Sequence, residues 1–175
     1  MKTSTEIISR TIDKWEGCAY TTDPNDPGKG TKFGISEVFN PGIDIEHLTR
    51  EQAIAIYEFK YYQPLRLDEI TNDSLRWKIF DMNVNPGHGA RRVQVCLNQL
   101  NPGIIVDGII GENSLRAINQ TDPQLLMTMM IEDLTLHYKA LVQESPVKQK
   151  YLKGWLNRAR DFAEEWWVLS FPGIK

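Results

Sequence analysis

Apolar residues recur at helical spacing along most of the chain. Ile8, Ile12 and Trp15 share one face, and Thr3-x-x-Glu6 has the form of a capping box, so a first helix is expected over residues 3–16. Thr49 is placed as the N-cap of a second helix, in which Ala53, Ile56, Tyr57 and residues 59–62 lead to Pro64. Residues 73–100 read as two helices interrupted by the turn Asn83-Val84-Asn85-Pro86-Gly87-His88-Gly89. Another helix is expected near Asn113, after a loop punctuated by Gly108 and Gly111, where Asp107 reads as a turn former. A long amphipathic helix fills residues 123–144 with Leu125, Leu126, Met129, Met130, Leu134, Leu136 and Tyr138 as core. Pro146 opens the last helix, whose Tyr151, Trp155, Leu156, Ala159, Phe162, Ala163, Trp166 and Trp167 form a face wide enough to require burial. Residues 31–36 read as one short strand. The expected fold is mainly α, with a lysozyme-like α+β lobe over residues 1–70 and a helical lobe over residues 71–175, integrated into one unit.

Composition removes several classes of function. A chain of 175 residues with 41% hydrophobic and 25% charged side chains is an ordinary globular protein. Residues 1–70 carry 8 basic and 12 acidic side chains and the remainder 12 and 11, so neither half has the basic field that nucleic acid requires. No stretch approaches the roughly 20 apolar residues of a membrane span, and the first fifteen residues lack a signal-peptide core, so synthesis in the cytoplasm without membrane insertion is expected. Cys18 and Cys96 fall short of a disulfide framework and read as free buried thiols. His47, His88 and His137 are scattered, and neither metal nor cofactor is expected.

The stretch with candidate chemistry is W-E-G-C-A-Y-T-T-D-P-N-D-P-G-K-G-T-K-F-G-I-S, residues 15–36. Glu16 closes the first helix beside Trp15, and Gly17 follows at once, presenting the carboxyl where the chain turns. An acid flanked by apolar surface holds its proton more readily, as a leaving-group acid must. Asp23, Pro24, Asp26, Pro27, Gly28 and Gly30 make a loop that delivers a second carboxylate, and Thr31 follows on the strand. Tyr20, Tyr57, Tyr61 and Tyr62 can stack on sugar rings or fill the core. Asp81, Asn83 and Asn85 form a polar turn able to reach a cleft or to serve the fold alone.

These blocks resemble the E-G-G-Y and D-P-G-G-x-T-x-x-G-I signature of the N-acetylmuramidases of glycoside hydrolase family 108. The later blocks D-M-N-V-N-P-G-H-G-A-R-R-V-Q, V-D-G-I-I-G-E-N-S-L-R-A-I and G-W-L-N-R-A are similar to the peptidoglycan-binding portion of the same proteins. The resemblance covers nearly the whole chain. It implies Glu16 as the catalytic acid, with the D-P-G-G-x-T segment on residues 26–31. Two departures stand out: Cys18 replaces the second glycine of E-G-G-Y, and Lys29 is inserted between Gly28 and Gly30. The resemblance also implies peptidoglycan as partner, passage of the cell wall in phage-type lysis or toxin export, and action in the periplasm after release by a holin or export component, as a monomer.

Hydrolysis of a glycoside passes through an oxocarbenium-like state and needs an acid at the leaving oxygen and a second group at the water or cation. Glu16, Asp26 and Thr31 fit those roles, with Asp23 as the competing second carboxylate. Retention and inversion both stay open. Two other readings are a noncatalytic peptidoglycan-binding module and a secretion partner that docks through its aromatic C-terminal helix.

Overall fold

The computed structural model describes residues 1–22 and 29–161. Asp23 and Asp26, and Phe162, Ala163, Trp166 and Trp167 of the expected last helix, lie outside the described residues. The chain divides into two compact units, Met1–Asp68 and Glu69–Lys175.

In the first unit, α1 (Ser4–Thr11) starts at a complete capping box, the Thr3 hydroxyl accepting from the Glu6 amide and the Glu6 carboxylate accepting from the Thr3 amide. The helix continues through a π-helical turn, Ile12–Glu16, and ends at Gly17, whose φ of 69° favours glycine. Three short strands, β1 (Thr21–Thr22), β2 (Gly30–Lys32) and β3 (Ile35–Ser36), form an antiparallel sheet in chain order. Thr31 pairs with Thr21 on one side and Ser36 on the other. The single strand expected over residues 31–36 is therefore a hairpin. Lys32 pairs with Ile35 across Phe33 and Gly34, whose φ values of 52° and 72° are both positive, as a two-residue type I′ turn requires.

The second helix, α2 (Arg50–Tyr57), opens on another capping box, Thr49 with Gln52, and runs into a second π-helical turn, Glu58–Tyr62. Pro64 then sits in a 3-10 turn, Gln63–Leu65. The two helices are joined at both ends. Arg50 grips Asp13 through two hydrogen bonds of 2.8 and 3.2 Å, and Ser4 donates to Glu58 at 2.8 Å. Ile7, Ile8, Ile12, Ile45, Leu48, Ala53, Ile54 and Leu67 make the core.

The second unit contains α3 (Asp73–Val84), α4 (Gly89–Leu100), α5 (Glu112–Gln120), α6 (Pro123–Glu144) and α7 (Gln149–Arg160). All of residues 75–82 are buried, including Arg76, Lys78 and Asp81, so α3 has no solvent face along that stretch. Its close approach to α4 requires a glycine: a Cβ on Gly89 would lie 2.5 Å from the Ile79 carbonyl oxygen and 2.8 Å from the Asn83 amide nitrogen. Buried Gln94 organises the loop before α5, donating to Asp107, to the Ile109 carbonyl and to Ser114 while accepting from Gly108. Asp107 also accepts from the Ile109 amide two residues on, an Asx turn.

The α6 stripe is Leu126, Met127, Met130, Leu134 and Tyr138; Leu125 and Leu136, expected in the core, fall off it and are 45% and 68% exposed. In α7 Ala159 is buried, Trp155 and Leu156 are half-buried, and Tyr151 is exposed. Trp155 stacks on Tyr138 with ring centroids 5.2 Å apart.

The thiols differ from the expectation of two buried groups. Cys96 is buried, whereas Cys18 is exposed because it follows the helix-ending Gly17 on the outside of the turn. Burial pushes the Cys96 thiol from 9.0 to about 12. A raised folded-state value stabilises the fold below pH 9 and loses that contribution as the pH rises toward 12. At pH 8, a thiol reagent should modify Cys18 in the native protein and Cys96 only on unfolding; equal rates for both native thiols would contradict this placement.

Candidate active site

Glu16 lies four residues beyond Ile12, which lies four beyond Ile8, and both isoleucines are buried. That spacing carries the Glu16 side chain along the inward stripe to the point where the helix stops. There it meets the tip of the β2–β3 hairpin. A Cβ on Gly34 would overlap the Glu16 carboxylate oxygen Oε2, lie 2.9 Å from its Cδ and stand 2.5 Å from the Tyr57 hydroxyl. The carboxyl thus occupies space that only a glycine leaves open. Tyr57 completes the group, its hydroxyl donating to the Phe33 carbonyl at 2.9 Å in a buried position. Glu16 itself is half-buried.

Thr31 is half-buried in the central strand, three residues before Gly34. Alternation along β2 puts its side chain on the face opposite Gly30 and Lys32. Tyr20, a candidate for the sugar groove, donates its hydroxyl to Glu37 at 2.8 Å. That bond to a carboxylate raises the Tyr20 hydroxyl above its ordinary range. The pair crosses directly over Gly30, where a Cβ would lie 2.6 Å from the Tyr20 ring and overlap both polar ends. Gly30 is thus needed for close approach. The inserted Lys29 is exposed and takes a φ of 58°. The other departure, Cys18, is accommodated because the positive φ falls on Gly17 instead.

Tyr57 is 2% exposed, so its ring cannot stack on a sugar. Tyr62 is likewise buried and donates to Asp68 at 2.8 Å, while Tyr61 is half-buried with its ring centroid 5.5 Å from that of Tyr57. Of the tyrosines in this helix, Tyr61 alone has ring surface to offer.

Asp81, Asn83 and Asn85 belong to the second unit. The expected polar turn is only partly a turn, since Asp81 and Asn83 lie within α3. Asp81 is 1% exposed and accepts from Arg158 Nε and Nη2 at 3.1 and 2.9 Å. Lys78, also buried, donates to the Ala159 and Arg158 carbonyls at 2.9 and 3.3 Å, closing the end of α7. Asp81 is therefore a packing ion rather than a ligand group. Asn83 accepts from the Gly89 amide and Asn85 from the Tyr138 hydroxyl, so both brace the turn between α3 and α4.

Sequence reasoning passed over Gly34, Phe33 and Glu37. The F-G pair was visible within T-K-F-G-I-S, but Phe at the first turn position hid the hairpin. Among the described residues, no group of three or more His, Cys, Asp or Glu is disposed to hold a metal ion. No described helix is long and apolar enough to cross a membrane.

Residues 9–87, which include Glu16, the hairpin and Tyr57, match the family model for glycosyl hydrolase 108. That segment of the chain is similar to glycosyl hydrolase family 108. Residues 88–160 match the model described as a predicted peptidoglycan domain. The boundary falls between Gly87 and His88, so the D-M-N-V-N-P-G block goes with the hydrolase match rather than with the peptidoglycan domain. The structure of Brucella abortus SagA is similar over 98% of this chain and 97% of that one, with a TM-score of 0.73 and 19% identity. Comparison with curated proteins gives no match. The two matches support a glycoside hydrolase acting on peptidoglycan, and the helices with a small antiparallel sheet are consistent with a lysozyme-like fold.

Removing one partner of a buried ion pair typically costs about 3–5 kcal/mol, because the other charge is left uncompensated. Asp81→Ala should lower unfolding stability by that order, read from the denaturation midpoint. A change within 0.5 kcal/mol would contradict the structural assignment of Asp81.

Proposed function

We propose that the protein is an N-acetylmuramidase, cleaving the β-1,4 bond between N-acetylmuramic acid and N-acetylglucosamine with Glu16 as the general acid. The observation that carries this reading is the Glu16 carboxyl seated at the end of its helix against the Gly34 turn, half-exposed, within the segment that matches the hydrolase family. A half-buried carboxyl held against a fixed turn suits proton transfer to a glycosidic oxygen.

In this mechanism Glu16 protonates the leaving oxygen as positive charge develops at the anomeric carbon. A carboxylate from the loop between β1 and β2, Asp26 with Asp23 as the competing candidate, stabilises that charge or activates water. Thr31, on the strand leading to the turn, hydrogen-bonds the water. Tyr61 supplies the tyrosine surface for the sugar. The enzyme is made in the cytoplasm and reaches the periplasmic wall through a holin or export component, serving passage of exported protein or phage-type lysis.

The Glu16→Gln variant keeps the shape of the side chain and removes the proton. It should fold normally and release soluble fragments from purified peptidoglycan roughly 10²–10⁴ times more slowly than wild type. Fragment release by a well-folded Glu16→Gln protein at the wild-type rate would sink the assignment and favour a noncatalytic binding module.

A further inference from the structure

We propose that Tyr57 is a positioning residue for the Glu16 acid, acting with Gly34 as a seat that sets where the carboxyl points. The inference rests on the reading of Glu16 as the acid and adds how the protein aims it.

Three observations converge. The Tyr57 hydroxyl donates its one proton to the Phe33 carbonyl at 2.9 Å, in a position closed to water. That carbonyl belongs to the first residue of the two-residue turn, so the bond fixes the turn whose second residue is Gly34. Gly34 in turn leaves open the space that both Glu16 Oε2 and the Tyr57 hydroxyl border. A glutamate has three side-chain torsions, and a flexible acid at a helix end would spend little time in one orientation. Contact with a glycine held in a braced turn removes that freedom.

The brace also comes from a rigid source. Tyr57 is the last residue of α2, and α2 is bound to the helix carrying Glu16 by the Asp13–Arg50 pair and packs against it. Acid, turn and tyrosine are therefore tied to one pair of helices. Tyr57, for which the sequence leaves both sugar stacking and core packing open, contributes through its hydroxyl.

The test uses the full-length protein on solubilised, uncross-linked glycan strands of peptidoglycan. Wild type, Glu16→Gln, Tyr57→Phe and Gly34→Ala are compared at a temperature where circular dichroism shows each to be folded. Tyr57→Phe keeps the buried ring and deletes the hydroxyl alone. Its kcat should fall by up to about 100-fold with KM unchanged within two-fold, since misplacing a reacting group by about an ångström costs that much. Gly34→Ala should show the same split.

A folded Tyr57→Phe protein with wild-type kcat overturns the proposal, whether or not its Tm has dropped, because the hydroxyl would then serve stability only. A rise in KM at unchanged kcat also overturns it, since that marks a binding role. An inactive wild type, or a fully active Glu16→Gln, instead brings down the reading of Glu16 as the acid and the proposal with it. Active wild type, inactive Glu16→Gln and fully active Tyr57→Phe isolate the failure to Tyr57.

Discussion

The hydrogen bond from Tyr57 to the Phe33 carbonyl is the contact on which the first unit's geometry turns. A hairpin with a two-residue turn and two paired positions has little stability alone in water. Here its tip is anchored from below by a buried hydroxyl, and its Phe33 side chain is 7% exposed, so the turn is fixed by tertiary contact. Phe33 pays a conformational cost for its positive φ, and burial of the ring offsets it. The absent side chain at Gly34 then admits the Glu16 carboxyl. Under the proposed muramidase reading the hydrolase needs an oriented acid, and a helix end facing a braced turn is a place where one can be held.

The second unit solves a different problem with the same economy of close contacts. Its central helix is buried through eight successive residues, three of them charged or strongly polar at Arg76, Lys78 and Asp81. Each of those charges has a partner: Asp73 for Arg76, the end of α7 for Lys78, Arg158 for Asp81. Buried charges are tolerated only when so matched, and the matching specifies which face of α7 meets α3. Gln94 does the equivalent for the loop before α5 with a neutral network.

Much of this was legible in the sequence where the cause is local. The capping box at Thr3, the N-cap at Thr49, the helix-ending Gly17, the break at Asn85-Pro86 and the turn at Asp107 depend on residues within four positions of one another. Glu16 was legible for the same reason, as a carboxylate between an apolar stripe and a glycine. The hairpin was not, because a type I′ turn is announced by Asn-Gly or Asp-Gly and here carries Phe-Gly, which reads as continuing strand. Nor was the role of Tyr57, since an aromatic at helical spacing looks alike whether it packs, stacks on a ligand or donates to a carbonyl 24 residues away. Asp81 resembled a ligand group because its partner Arg158 stands 77 residues on.

Under the proposed reading, Glu16 acts as the acid of a muramidase that cuts the glycan on the N-acetylmuramic acid side of the β-1,4 bond. The most direct test is mass spectrometry of the new ends formed when the wild-type protein digests purified peptidoglycan. Fragments ending in reducible N-acetylmuramic acid are the predicted result. Fragments ending in reducible N-acetylglucosamine, or in an anhydro-muramic end that has taken up no water, would contradict it.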